Sequence, residues 1–418
     1  MERMYLCVDL KTFYASVECA ERGLNPFHTN LAVADISRGP GTICLAISPA
    51  MKALGIKNRC RLFEIPKNVS FIAAKPRMRL YMEYSKRIYQ IYLKYIAKED
   101  IFVYSIDECF LDITAYLPLY GQTPQELARR IVDDIYTATG VPAAVGIGTN
   151  LFLAKVALDI TAKHRPDNMG FLNEELFKKT IWFHTPITDI WNIGRGYAKR
   201  LAKYNAFSLY AVAHLEERLL YEEFGVNAEY LIDHARGIEP CTIEDIHNYK
   251  PKNKSLSNHQ VLFEDYSYDD ALLVLKEMVE INVLNLVAKG LVTSRISLSV
   301  GYSKRCIPAT GGGRKLYELT NSYKKLNEYF LDLYRQTTNP SVMIRKIGIG
   351  FGGVVDDRYK TYDLFMDEAF EEKELNLQRA LLQIKDKYGK NSVFKGMNLE
   401  PQATMRKRNK LIGGHNAE

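Results

Sequence analysis

The chain has 418 residues, too many for one compact core, so two to four domains are expected. Its 47% hydrophobic and 25% charged content is that of an ordinary globular protein, and no apolar run approaches the roughly 18 residues of a membrane span. The net charge of +7 is mild in sum but gathered in runs such as Lys75-Pro76-Arg77-Met78-Arg79, Lys250 to Lys254 and Arg406 to Lys410, a spread that suits contacts along a nucleic-acid backbone. The first residues enter a strand directly, leaving no room for a signal peptide, so a cytoplasmic location is expected. Seven cysteines (Cys7, Cys19, Cys44, Cys60, Cys109, Cys241, Cys306) show no Cys-x-x-Cys pairing. That spacing argues against zinc and against a disulfide framework, and favours buried free thiols.

In chain order, Tyr5 to Val8 reads as a strand ending at Asp9, and Phe13 to Arg22 as the helix that follows. Leu31 to Ala34 and Ile43 to Ile47 read as short strands around a Gly-Pro-Gly turn, before a short helix from Pro49 to Leu54. A long amphipathic helix spans about Arg77 to Tyr95. Ile101 to Tyr104 and Phe110 to Ile113 form a hairpin with Asp107 and Glu108 at its turn. A helix from Pro124 to Thr139, a strand from Ala143 to Ile147 and an apolar helix ending near Lys163 complete a split βαβ, ferredoxin-like unit.

Residues 175–240 are helical throughout in pattern, with a Gly194-Arg195-Gly196 turn between two apolar helical patterns. Pro251 to Ser255 is a charged, helix-breaking linker. Beyond it strand (256–263), helix (268–289), strands (292–300 and 315–319), helix (323–334) and strand (342–351) make a separate α+β domain. A helix from Glu374 to Tyr388 precedes a basic end that is expected to be mobile.

Carboxylates at strand ends beside a helix N-terminus can hold a hard divalent ion while free backbone N–H groups cradle a phosphate. Three together would form a two-metal phosphoryl-transfer site. Val8-Asp9-Leu10, Phe13-Tyr14-Ala15-Ser16-Val17-Glu18 and Ser105-Ile106-Asp107-Glu108 together resemble the palm motifs of the Y-family translesion DNA polymerases, nearest the UmuC-type, UvrX-like branch of Gram-positive bacteria.

The resemblance implies a right-hand polymerase of α+β class. Residues 1–24 and 75–174 would be the palm, 25–74 the small fingers, 175–245 a helix-hairpin-helix thumb, 255–353 the little finger and 354–418 a tail. It implies error-prone, template-directed synthesis past lesions in SOS-type repair, with no proofreading domain. Asp9 and Asp107 would bridge two Mg²⁺ ions, with Mn²⁺ as a substitute, while Glu108 and the Leu10 carbonyl complete their shells.

Lys11, Thr12, Phe13, Tyr14, Ala46, Ser48, Lys52 and Lys163 would bind the dNTP. Tyr14 would be the steric gate against a 2′-hydroxyl, whereas Phe13 suits packing of the helix on the sheet. By pattern alone Lys155 rivals Lys163. Ala46 and Ser48 would lie over the nascent base pair, and of the fingers' usual Tyr and Arg only Lys52 keeps a phosphate-binding function. Gly194, Arg195, Gly196, Lys199, Arg295, Lys304 and Arg305 would meet primer–template DNA, although Gly-x-Gly also suits a plain inter-helix turn.

Thr361-Tyr362-Asp363-Leu364-Phe365 resembles the clamp-binding pentapeptide, with Leu364 and Phe365 as anchors for a bacterial sliding clamp; packing of the tail is the other reading. UmuD-like and RecA-type proteins are further candidate partners. A non-catalytic accessory at stalled forks is the alternative function, disfavoured by the intact Asp9, Asp107 and Glu108. A nucleotidyl cyclase would leave the thumb and the last domain without a role.

Overall fold

The computed structural model describes residues 2–303, 307–361 and 368–418. Lys304, Arg305, Leu364 and Phe365 therefore lie outside the described residues. The chain divides into two units, Met1–Tyr249 with Asn416–Glu418, and Lys250–His415.

In the first unit β1 (Tyr5–Leu10) is followed by α1 (Phe13–Ala20), and β2 (Leu31–Val33), β3 (Ala46–Ile47), α2 (Pro49–Ala53) and β4 (Ile72–Ala74) form a small subdomain around a three-stranded sheet. Next come α3 (Met78–Tyr92), β5 (Ile101–Val103), β6 (Glu108–Asp112), α4 (Tyr116–Tyr120), α5 (Pro124–Thr139), β7 (Ala143–Gly148), α6 (Leu151–Val156) and β8 (Met169–Leu172). The main sheet runs β5-β6-β1-β7-β8. β1 pairs antiparallel with both neighbours, and β8 adds a parallel edge strand that the sequence did not signal. The limits of α5 follow from its ends: Thr123 and Glu126 cap each other reciprocally, Pro124 starts the helix, and Gly140 stops it in the left-handed region.

Alternation along β1 puts Tyr5, Cys7 and Asp9 on one face, opposite Asp112, Phe110 and Glu108 of β6 and Gly148, Gly146 and Ala144 of β7. Leu151, Ala154, Leu158 and Ala162 pack on that face with Tyr5, Cys7 and Phe110. Glycine is required at 146 and 148, where a Cβ would lie 2.0 Å from the Ala154 oxygen and 2.2 Å from the Ala154 nitrogen. The helix therefore rests directly on the sheet. It continues past Val156 as a π turn (Ala157–Thr161) and a 3₁₀ turn (Ala162–His164).

The helices α7 (Glu174–Thr180), α8 (Arg195–Leu201), α9 (Leu209–Ala213), α10 (Glu217–Phe224) and α11 (Ala228–Arg236) share a core of Phe152, Phe177, Ile190, Leu201 and Leu231. Before the Gly194 turn there is only a 3₁₀ turn, Ile187–Asp189, in place of the expected helix. α12 (Ile243–Asn248) brings the chain back to the main sheet, where Ile243 joins Tyr5 and Phe110.

The second unit is a sheet of order β11-β10-β12-β9, from β9 (Leu256–Tyr266), β10 (Leu291–Tyr302), β11 (Thr310–Thr320) and β12 (Ile344–Gly352). Two helices, α13 (Tyr268–Ala288) and α14 (Tyr323–Thr337), bury Val274, Met278, Phe330 and Tyr334 against it. α15 (Glu368–Tyr388) is the helix expected from Glu374, begun earlier, but the basic segment after it is not the mobile end expected from its composition. Glu277 of α13 is fully buried, and its carboxylate accepts from Asn398, from the Thr404 N–H and hydroxyl at 2.7 and 2.9 Å, and from the Met405 N–H at 3.0 Å. A buried carboxylate so satisfied fixes the segment in place. Asn416–Glu418 belong to the first unit, where Glu418 pairs with Arg79 at 2.9 Å.

Cys7, Cys19, Cys44, Cys60 and Cys109 are buried free thiols and Cys241 is half-buried. Among the described residues no helix is long and apolar enough to cross a membrane.

Candidate active site

The register of β1 on β6 fixes the acidic end of the main sheet. Asp9 lies directly across from Glu108 on the same face, and the Leu10 N–H donates to the Asp107 carbonyl at 2.9 Å. The sequence expectation put both acids at the hairpin turn; Glu108 is instead the first residue of β6, and Asp107 alone remains in the turn.

Over this face the helix that starts at Leu151 presents Lys155, Asp159 and Lys163 at intervals of four. Lys155 Nζ lies 2.5 Å from Glu108 and 2.9 Å from Asp159; Lys163 Nζ lies 2.8 Å from Asp159 and 3.2 Å from Asp9. The result is a ladder of alternating charge, Glu108–Lys155–Asp159–Lys163–Asp9. Of the two lysines that rival each other by pattern, Lys155 pairs with Glu108 and Lys163 with Asp9. Asp107 stands apart from the ladder, its carboxylate accepting from the Ser105 hydroxyl at 2.6 Å.

Asp9 and Asp107 open onto a cavity of about 650 Å³, also lined by Leu10, Lys11, Thr12, Phe13, Tyr14, Ala46, Pro49, Lys52, Asn58, Arg59 and Lys163. Burial pushes the Asp9 carboxyl up, Lys163 opposes that shift, and the Asp107 and Glu108 charges add to it. Burial lowers Lys11, and Lys52 and Lys163 lower it further against the opposing pull of Asp9; burial lowers Lys52, with Asp9 opposing the shift and Lys163 adding to it. The ammonium groups repel one another across the cavity. Such a cluster is stabilised by a polyanion.

α1 begins at this cavity, behind Thr12 in the left-handed region at φ 48°; the Ala15 N–H already donates to the Thr12 carbonyl at 2.8 Å, so the N–H groups of Phe13 and Tyr14 are the ones at this end without an intrahelical acceptor. Phe13 is buried, while Tyr14 is half-buried with its ring stacked on Tyr81 at 4.6 Å. Ser48 does not take the place expected of it. It is fully buried, and its hydroxyl caps α2 by accepting from Met51 N–H and also accepts from Leu31 N–H, so only Ala46 of that pair reaches the cavity.

Asn58 and Arg59 were not singled out from the sequence. Arg59 adopts φ 59° in the loop after α2, which turns a cation into the cavity wall seven residues beyond Lys52. The only signal available was an Asn-Arg pair in a glycine-led loop.

Two family models match the chain: the impB/mucB/samB family over residues 8–159 and the impB/mucB/samB family C-terminal domain over residues 253–364. It is 30% identical to DNA polymerase IV 2 of Bacillus subtilis (strain 168), over 99% of both chains. This chain belongs to the Y family of DNA polymerases. It is 29% identical to UvrX of the same strain, a protein named for UV-damage repair, over 98% of this chain and 97% of that one. A chimera of the Y-family polymerases Dbh and Dpo4 shares the fold, with a TM-score of 0.65 at 21% identity over 84% of this chain and 99% of that one.

The protein is accordingly a DNA-directed DNA polymerase of translesion synthesis, with DNA and dNTPs as substrates, and Y-family polymerases use divalent metal ions. Among the described residues no three carboxylate, imidazole or thiol groups converge on one point, and lysine ammonium groups are the partners of Asp9 and Glu108. The donor set nonetheless fits such ions: three carboxylates and a main-chain carbonyl at adjoining strand ends are all hard oxygen ligands.

Away from the cavity, Gly194 precedes α8 and Gly196 lies inside it, each with open space where a Cβ would be and neither with a left-handed backbone. The fold itself thus makes no demand for glycine there. Arg195 and Lys199 are exposed one turn apart on the same helix. In the second unit Arg295 is exposed on β10, paired with Lys315 and Gly352 on its neighbours.

Proposed function

We propose that this polymerase extends a primer with Asp9, Asp107, Glu108 and the Leu10 carbonyl as ligands of two Mg²⁺ ions, Mn²⁺ serving as a substitute. Bound there, the ions supply the charge neutralisation that attack of the primer 3′-oxygen on the α-phosphate requires. The observation that carries this reading is the meeting, in one cavity, of Asp9 and Asp107 with the mutually repelling Lys11, Lys52 and Lys163. Lys163 exchanges its pairing with Asp9 for the triphosphate, and Lys11, Lys52 and Arg59 share the remaining charge. The main-chain N–H groups at the start of α1 add donors, and Tyr14 sets the sugar.

Lys163→Ala is expected to raise the KM for dNTP by about tenfold or more with a smaller change in kcat, since it removes a charge that binds the ground-state triphosphate. Steady-state primer extension checks this. An unchanged KM would take Lys163 out of the nucleotide site.

The palm, fingers, thumb and little finger are assigned as residues 1–24 with 75–174, 25–74, 175–245 and 255–353. Gly194, Gly196, Arg195 and Lys199 in the thumb and Arg295 in the little finger are assigned to phosphate contacts, where missing Cβ atoms admit close approach.

We also assign Leu364 and Phe365 as anchors for a bacterial sliding clamp. Replacing both with Ala should abolish stimulation of primer extension by a loaded clamp and leave clamp-free extension as it was. Unchanged stimulation, or none with wild type, would overturn that assignment.

A further inference from the structure

Behind Tyr14 lies a polar cluster with no part in the scheme above. Glu18, one helical turn beyond Tyr14 on α1, is fully buried. Its carboxylate accepts from Arg77 Nε at 3.0 Å and Nη2 at 2.7 Å, from the Tyr81 hydroxyl at 2.7 Å, and from the Arg22 guanidinium. Tyr81 is itself fully buried, and its ring stacks on Tyr14 at 4.6 Å and 25° and meets Phe13 edge-on at 6.5 Å. The ring that backs Tyr14 is therefore tied by its hydroxyl to Glu18, and Glu18 is tied in turn to α3 through Arg77.

A buried carboxylate is a poor way to gain stability, because an apolar residue of similar size serves as well or better. What the cluster supplies is direction. Burial opposes the charge on Glu18, yet Arg77, Arg22 and Tyr81 together hold its carboxyl below the usual range. The hydroxyl of Tyr81 therefore has a charged acceptor that fixes where it points, and the plane of the ring follows.

We propose that Glu18 is a positioning residue for sugar selection: through Arg77 and Tyr81 it fixes the plane of the Tyr14 ring against which the sugar of the incoming nucleotide is sorted. The inference rests on Tyr14 being the steric gate. A ring free to tilt makes room for a 2′-hydroxyl, whereas a ring held from behind does not.

The test is the ratio of kcat/KM for dCTP to that for rCTP opposite template guanine, measured with the full chain for wild type, Glu18→Gln, Tyr81→Phe, Tyr14→Ala and the double variant Glu18→Gln with Tyr14→Ala. A loss of folded protein lowers both values equally and leaves the ratio alone. Glu18→Gln is expected to shrink the ratio by about tenfold, mainly through better use of rCTP. Tyr81→Phe, which keeps the stacked ring and loses only the hydroxyl bond, should shrink it in the same direction, and the double variant should match Tyr14→Ala alone. A wild-type ratio in Glu18→Gln, or a double variant in which the two effects add in full, would overturn the proposal. Should Glu18→Gln fail to fold, an unchanged ratio in Tyr81→Phe overturns it instead. A wild-type ratio in Tyr14→Ala would overturn the gate itself, a separate result.

Discussion

Asp107→Ala is expected to lower single-turnover nucleotide incorporation by about 10³-fold or more, while primer–template affinity stays within a few-fold. Asp107 lines the cavity beside Asp9 but takes no part in the lysine ladder that neutralises Asp9 and Glu108. Its carboxylate is thus the one of the three whose described partner is a neutral hydroxyl, that of Ser105. Removing it should leave the fold in place, since the main-chain bond from Leu10 to the Asp107 carbonyl does not depend on the side chain. Rapid-quench primer extension, paired with fluorescence anisotropy on labelled primer–template, separates chemistry from binding. More than a tenth of wild-type incorporation would remove Asp107 from the catalytic set.

Tyr14→Ala should admit ribonucleotides, reducing discrimination against them on the order of 100-fold while dNTP incorporation persists. The ring is half-buried at the cavity wall and supported from behind by Tyr81, so truncation opens space at the sugar without emptying the core beneath. Phe13 is the contrasting neighbour. It is buried, and Phe13→Ala should cost stability, about 3–5 kcal/mol, in place of selectivity. Competition between dNTP and rNTP in a running-start extension would read the difference directly; wild-type selectivity in Tyr14→Ala would move the gate elsewhere.

Much of this was legible because the signals are local. Thr123-Pro124 with Glu126 and Gly140 mark both ends of α5, and the long strands and helices of the second unit follow from simple periodicity. The acids at the ends of β1 and β6 could be read as a pair because each ends or begins an apolar run. β8 was missed because Met169-Gly170-Phe171-Leu172 is short and carries a glycine, and it becomes a strand only by pairing with β7. The order of the basic C-terminal segment was missed for a different reason: Glu277, the acceptor that fixes it, lies more than 100 residues upstream. The resemblance puts Ser48 over the base pair, whereas its local sequence, Ser-Pro before a helix, spells an N-cap. The charge ladder was available in the spacing Lys155, Asp159, Lys163, but its meaning needed the register of β1 on β6.

On a pure α-helix, side chains four apart drift by about 40° per step, so three of them would wind away from a flat row of targets. The π turn at Ala157–Thr161 is wider and takes up that drift, keeping Lys155 and Lys163 above Glu108 and Asp9. Gly170 of β8 leaves room for it, since a Cβ there would lie 2.6 Å from the Ala157 oxygen. Such a turn amounts to one residue more than the helix needs, so chain length itself sets the geometry at this place. A one-residue deletion between 157 and 161, of the kind a surface loop absorbs without effect, would swing Lys163 by about 100° away from the cavity beside Asp9. Selection on this polymerase should therefore act against insertions and deletions here more strongly than against most substitutions.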